Sequence, residues 1–186
     1  DYATKVRAIP GKQLNLKFIE FDSDVTYKEI SNNIHLYRSE NPINSIFNLT
    51  LQYGLGNLED SKLEQGAELL NLLGTSNYSF NEFKSELQKI GTTISFDSDR
   101  NYFTINVKGF DKYFDQSIQY VNEFITNVKE DDKKIKILVN SAKSGRKMDA
   151  KDKSKIGRAL RDYVNFGDKS YYLRRLTLDE IKKIKS

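Results

Sequence analysis

Residues 46–53, Ile46-Phe47-Asn48-Leu49-Thr50-Leu51-Gln52-Tyr53, alternate strictly, with Phe47, Leu49, Leu51 and Tyr53 on one side, and the run stops at Gly54 and Gly56. Period-two alternation describes a strand with one apolar and one polar face. A few residues later the period changes. Ser61-x-x-Glu64 has the form of a capping box, and Leu63, Ala67, Leu70 and Leu73 follow at helical spacing as far as Gly74. A half-polar strand followed so closely by an amphipathic helix favours a sheet layered with helices.

The rest of the chain repeats this grammar. Ser79-x-x-Glu82 starts a second helix whose stripe is Phe80, Phe83, Leu87 and Ile90, closed by Gly91. Thr93–Phe96 and Tyr102–Val107 then read as a hairpin around residues 97–101, ended by Gly109. A third helix is expected from Asp111 to Val128 on Phe114, Ile118, Val121 and Ile125. Further helices follow, on Ile135, Leu138, Val139 and Ala142, and on Ile156, Leu160 and Val164. A last one, capped by Thr177-x-x-Glu180, is cut by the chain end. Upstream, Val25, Tyr27 and Ile30, a turn at Ser31-Asn32-Asn33, and Ile34, Leu36 and Tyr37 make an entry hairpin. Residues 1–24 lack a period, with Pro10-Gly11 as a breaker and Leu14, Leu16, Phe18 and Phe21 scattered. The expectation is an α+β fold, an antiparallel-rich sheet covered by helices, in one domain over 25–186 with a lead-in arm at 1–24. A parallel doubly wound sheet is the less favoured alternative.

Composition removes several chemistries. With no cysteine there can be no disulfide framework, thiolate zinc site or cysteine nucleophile, and a single histidine, His35, leaves little imidazole chemistry. His35 reads as a solvent-facing or hydrogen-bonded strand residue. No apolar run is long enough to span a membrane, and the first residues, Asp1-Tyr2-Ala3, lack a signal-peptide pattern and read as a cut or processed start. The chain reads as soluble, with the compartment open between cytoplasmic and periplasmic or secreted. Residues 1–128 carry 12 Lys and Arg against 17 Asp and Glu, and residues 129–186 carry 18 against 9. The basic end could serve an acidic protein or nucleic acid, but its cations interleave with apolar residues as on a solvated helix face. Gly54-Leu55-Gly56 is too short for a phosphate loop. Asn48-Leu49-Thr50 and Asn77-Tyr78-Ser79 have the form of glycosylation sequons, the first inside a strand.

The order strand, glycine turn, helix, Gly74-Thr75, helix, Gly91, hairpin, long helix resembles the insulinase/pitrilysin type of zinc metallopeptidase, which includes the mitochondrial processing peptidases. The resemblance covers most of residues 25–186. It implies the architecture of one peptidase half, incomplete at its C-terminal end. Residues 18–22 with 27–34 also resemble the linker and entry hairpin that open the second half in two-half chains.

Catalytic halves of that family carry the inverted zinc motif H-x-x-E-H on the helix before Gly-Thr. Matching on Gly74-Thr75 puts Gln65 and Leu69 at the histidines and Glu68 at the glutamate. The family's third ligand, a glutamate about 70–80 residues on, falls in Asn140–Met148, which has no carboxylate. The resemblance therefore implies a non-catalytic half, inactive alone, without a metal site. It would supply chamber wall and peptide-binding surface to a partner half, on the same or a separate polypeptide, that bears the zinc. Peptide is held in the family by addition to a sheet edge, so the candidate contacts are Asn48, Thr50 and Gln52. No substrate-holding arginine or tyrosine is assigned. The alternative is a freestanding protein- or nucleic-acid-binding module using the basic C-terminal helices, with nucleic acid the less favoured ligand. A third reading, an enzyme with other ligands, would need a carboxylate-only site better suited to magnesium or calcium.

Overall fold

Two units divide the chain between Asn44 and Ser45. The structure, a computed structural model, describes residues 1–8 and 18–184.

In the first unit Asp1 caps α1 (Tyr2–Arg7), its side chain accepting from the Ala3 N–H at 3.2 Å. α2 (Phe21–Asp24) is a single turn. Both lie in the stretch that lacks a period and reads as a lead-in arm. Pro10-Gly11, Leu14 and Leu16 fall outside the described residues. β1 (Val25–Ser31) and β2 (Ile34–Ser39) form an antiparallel hairpin with Tyr27 opposite Tyr37. Asn33 takes the left-handed turn position at φ 63°, which a short polar side chain tolerates. The hairpin's side chains are almost all exposed. Aromatic contacts hold its centre, with ring centroids 5.0 Å apart for Tyr27 and Tyr37 and 6.3 Å for Phe21 and Tyr37.

The second unit runs β3 (Ile46–Tyr53), α3 (Lys62–Leu70), β4 (Gly74–Thr75), α4 (Phe80–Lys89), β5 (Thr93–Ser98) and β6 (Phe103–Phe110). A 3-10 turn at Asp111–Tyr113 leads into α5 (Phe114–Asn127), β7 (Val128–Lys129), α6 (Asp132–Asp149) and α7 (Lys153–Phe166). After a second 3-10 turn at Gly167–Lys169 come α8 (Tyr171–Arg174) and α9 (Leu178–Lys182). The main sheet is antiparallel in the order β3-β6-β5, with Val107 opposite both Leu49 and Ile94. β4 and β7 add a two-residue antiparallel pair. This is the expected α+β arrangement. One face of the main sheet, through Leu49, Leu51, Ile94, Phe96, Ile105 and Val107, joins Leu69, Phe83, Leu87, Phe124, Leu138 and Ile181 of the helices in one apolar core. Among the described residues no helix is long and apolar enough to cross a membrane.

Glycine is required at two joints. A Cβ at Gly74 would lie 2.5 Å from the Tyr78 carbonyl oxygen, so the chain after α3 can turn tightly against the start of α4 only without a side chain. Gly91 ends α4 at φ 62°, against the Phe110 ring.

Local expectations held in part. The capping boxes at Ser79/Glu82 and Thr177/Glu180 both form. The one expected at Ser61/Glu64 does not, since Ser61 makes no side-chain cap bond. Asp60 bonds the Lys62 N–H at 2.9 Å in its place, and Glu64 is drawn to Tyr171. Gly109 does not end β6, which continues to Phe110, and Gly109 packs against the Phe47 ring. The buried face of α5 is Ser117, Val121 and Phe124, while Phe114 and Ile125 are exposed. Phe124 is preferred inside because it stacks between Phe83 and Phe96, at 5.5 and 4.9 Å. α7 reverses its expected orientation. Ile156, Leu160 and Val164 are 50%, 64% and 74% exposed, and the buried residue is Asp162. Polar anchors turn that side inward, as described below.

Candidate functional site

α3 lies against β5 and α6. Gln65 and Leu69, four residues apart, share its buried face. Leu69 belongs to the core, and the Gln65 side-chain carbonyl oxygen is buried without a hydrogen-bond partner. Glu68 lies next to them around the helix and reaches solvent. Protein crowded about its carboxyl, and then the charge of Glu64, raise its pKa above the ordinary glutamate value, while Arg175 opposes them.

The segment that follows α7 folds over this helix. The Tyr171 hydroxyl donates to Glu64 Oε1 at 2.7 Å. Burial, and then that carboxylate, push the hydroxyl well above the usual phenol range. The Arg175 guanidinium sits 5.8 Å from the ring centroids of both Tyr171 and Tyr172 and reaches Asp149 Oδ2 at 3.5 Å. Lys155 takes the other oxygen of Asp149. Lys155 above all, and then Arg175, hold the Asp149 carboxyl below its ordinary pKa. Arg146 of α6 donates to the Leu176 carbonyl, and Ile181 of α9 is fully buried.

A hydrolytic zinc needs about three nitrogen, sulfur or oxygen donors and an open position. At the positions expected for the motif this chain offers a buried amide, a hydrocarbon and one carboxylate, and residues 140–148 of α6 add no carboxylate. The nearest, Asp149, is bound to two cations. Among the described residues no group of three or more histidine, aspartate or glutamate side chains lies together as metal ligands would. The residues at these positions do not fit a hydrolytic zinc. His35, in the first unit, is exposed, and its Nδ1 is 2.8 Å from the Tyr27 hydroxyl with the rings stacked.

Among the described residues β3 occupies an edge of the main sheet, with β6 as its strand partner. Every second residue of such a strand points its N–H and C=O away from its partner. Asn48, Thr50 and Gln52 come together on the exposed face, and Thr50 Oγ1 donates to Asn106 Oδ1 across the strands at 3.0 Å. Leu49 and Leu51 face the other way, into the core that contains Leu69. Asn48, Thr50 and Gln52 are therefore on the opposite side of the sheet from Gln65 and Leu69, the residues expected at the motif positions.

A cavity of about 480 Å³ opens between the β5–β6 turn, α7 and the start of α8. Arg100 from the turn donates to Asp162 Oδ1 at 2.8 Å, and Asp162 Oδ2 accepts the Tyr171 N–H at 2.6 Å. These are the polar anchors that turn α7 around. No sequence signal pointed to them, because the partners stand 62 and 9 residues from Asp162. Tyr171 and Glu64 are 107 apart. Arg158 and Arg161, three residues apart on α7, are near neighbours in the sequence, but nothing in their spacing marks them as part of a site.

A family model described as Insulinase (Peptidase family M16) matches residues 38–163. Among solved structures, the peptidase M16 inactive domain from Pseudomonas fluorescens superposes with a TM-score of 0.72 at 11% identity, over 87% of this chain and 41% of that one. The ferredoxin protease FusC, a mutant form in complex with Arabidopsis ferredoxin, gives 0.69 at 15% identity, over 95% of this chain and 20% of that one. The periplasmic protease PqqL from Escherichia coli gives 0.66 at 13%, over 96% and 21%. The chain thus spans less than half the length of each. No curated protein matches the sequence.

Proposed function

The chain belongs to the insulinase family, peptidase family M16, and on that premise we propose that it works as a non-catalytic half, forming chamber wall and peptide-binding surface for a partner half that bears the zinc. The observation that carries the reading is the helix α3. Where the motif calls for two imidazoles converging on a metal, Gln65 and Leu69 are buried in the protein and the segment after α7 is bonded over the helix. The similarity to an inactive M16 domain supports the same conclusion. With no metal-bound water to activate, Glu68 serves as a surface carboxylate rather than a general base.

Substrate contact falls to β3 in this reading. An extended peptide added along the outer edge of its middle residues would gain backbone hydrogen bonds, and Asn48, Thr50 and Gln52 would flank it. FusC was solved with a whole protein bound, which supports a protein or peptide substrate for the assembled enzyme. The exposed stripe Ile156, Leu160 and Val164 gives apolar surface for a neighbouring half to cover.

Two measurements test the proposal. Elemental analysis of the purified chain after dialysis against excess zinc is expected to give near-zero metal, and one tightly held zinc per chain would overturn the assignment at Gln65, Glu68 and Leu69. With the zinc-bearing half added, Asn48→Ala with Gln52→Ala is expected to raise the KM for peptide. Unchanged KM and kcat would remove β3 from the substrate path.

A further inference from the structure

We infer that the cleft between the β5–β6 turn and α7 is a carboxylate-recognition site, taking an Asp or Glu side chain, or the C-terminal carboxylate, of an acidic peptide. At about 480 Å³ it is large enough for a peptide side chain and its neighbours, since small-ligand sites run from about 300 to 1,000 Å³.

The charges inside it are unequally committed. Arg100 is bound to Asp162, and both oxygens of Asp162 are occupied, by Arg100 and by the Tyr171 N–H. Asp99 keeps its charge and holds its own turn, its Oδ1 accepting the N–H groups of Asn101 at 2.8 Å and Tyr102 at 2.7 Å. Arg158 and Arg161 remain. They lie three residues apart on α7, so they project from one side of the helix, and both line the cleft. Among the described residues neither is in an ion pair. Two guanidinium forks beside tyrosine and phenylalanine rings make a site for a planar oxyanion on an organic body, because a guanidinium meets a carboxylate through two parallel hydrogen bonds.

Phosphate can also accept from such forks, and the balance of charge decides between them. Three arginines against Asp99 and Asp162 leave a single net positive charge in the lining. That matches one carboxylate and is poor for a phosphodiester run, which needs a continuous basic track. The rings of Phe166, Tyr171 and Tyr172 favour the apolar parts of a peptide over free inorganic phosphate. This inference needs only the present chain and does not depend on a partner half.

The test is fluorescence anisotropy of a fluorescein-labelled octaglutamate peptide titrated with the full chain at low salt, competed with unlabelled peptide, inorganic phosphate and single-stranded DNA. Saturable binding is expected, displaced by the unlabelled acidic peptide and weakened at least about tenfold by Arg158→Ala with Arg161→Ala. Arg158→Lys with Arg161→Lys keeps the charge and loses the fork, and is expected to recover only part of the affinity. Lys133→Ala with Lys136→Ala, on α6 outside the cleft, is expected to leave binding unchanged. Both arginines are exposed, so the variants should keep the parent's circular dichroism. Absence of saturable binding, full affinity in the alanine pair, full affinity in the lysine pair, or equal loss in the α6 pair would overturn the site. Displacement by DNA or phosphate at lower concentration than by the acidic peptide would overturn the choice of carboxylate.

Discussion

Glu68 on α3 and Asp149 at the end of α6 are both carboxylates, and their surroundings push them in opposite directions. The pKa of Glu68 is raised in the folded chain, so between the ordinary glutamate value of about 4.3 and that raised value the folded state holds more protons than the unfolded one. Its contribution to stability therefore falls as pH rises through that window. Glu68→Gln is expected to remove this decline and raise the denaturant midpoint at neutral pH, read from urea titrations across the acid-to-neutral range. For Asp149 the folded pKa is lowered. Its stabilisation is present above the unfolded value and is lost as pH falls through the folded one, so Asp149→Asn should lower the midpoint at neutral pH and narrow the gap toward acid. Asp162 carries a larger penalty. Asp162→Ala strands the half-buried Tyr171 N–H and releases Arg100, whose side chain is 52% exposed. That exposure keeps the cost below the 3–5 kcal/mol of a fully buried pair, at about 1–3 kcal/mol in equilibrium unfolding.

Helix starts give a sharp comparison between elements. Ser79 and Ser61 stand in the same S-x-x-E pattern, yet only Ser79 closes its box, accepting the Glu82 N–H while Glu82 accepts the Ser79 N–H at 2.8 Å. Ser79→Ala should cost about 0.5–2 kcal/mol. Ser61→Ala should stay within about 0.5 kcal/mol of the parent. Equal losses in thermal or urea unfolding would mean that Ser61 does cap α3. α6 supplies the other test at this scale, because Leu138 is almost wholly buried where α6 meets the core. Leu138→Ala is expected to cost about 2–5 kcal/mol, and a smaller loss would indicate that the core relaxes around the cavity.

For the molecule as a whole, the two units differ in what protects them. A two-stranded hairpin is marginal by itself, and the one at Val25–Ser39 has almost no buried side chain. The central strand β6 is paired on both sides and carries Ile105 and Val107 into the core. In hydrogen exchange, amides of β1 and β2 are expected to exchange long before those of Ile105 and Val107; equal protection would show that the hairpin is stabilised beyond its own pairing. The sequence alone determined what depends on near neighbours: the alternation of β3, the caps at Ser79 and Thr177, the break at Gly91 and the order of elements by which the family was recognised. It also carried the proposed match of Gln65 and Leu69 to the two histidine positions of the motif. Tertiary structure decided what depends on groups far apart along the chain. Tyr171 draws Glu64 out of a cap that its spacing suited, and Phe83 with Phe96 selects Phe124 over Phe114 and Ile125 as the inner side of α5. Arg100 and the Tyr171 N–H turn Asp162 inward and Ile156, Leu160 and Val164 outward. Local pattern measures how apolar each face of a helix is, but the face that is buried is the one whose polar groups find partners, and those partners are brought near only by folding.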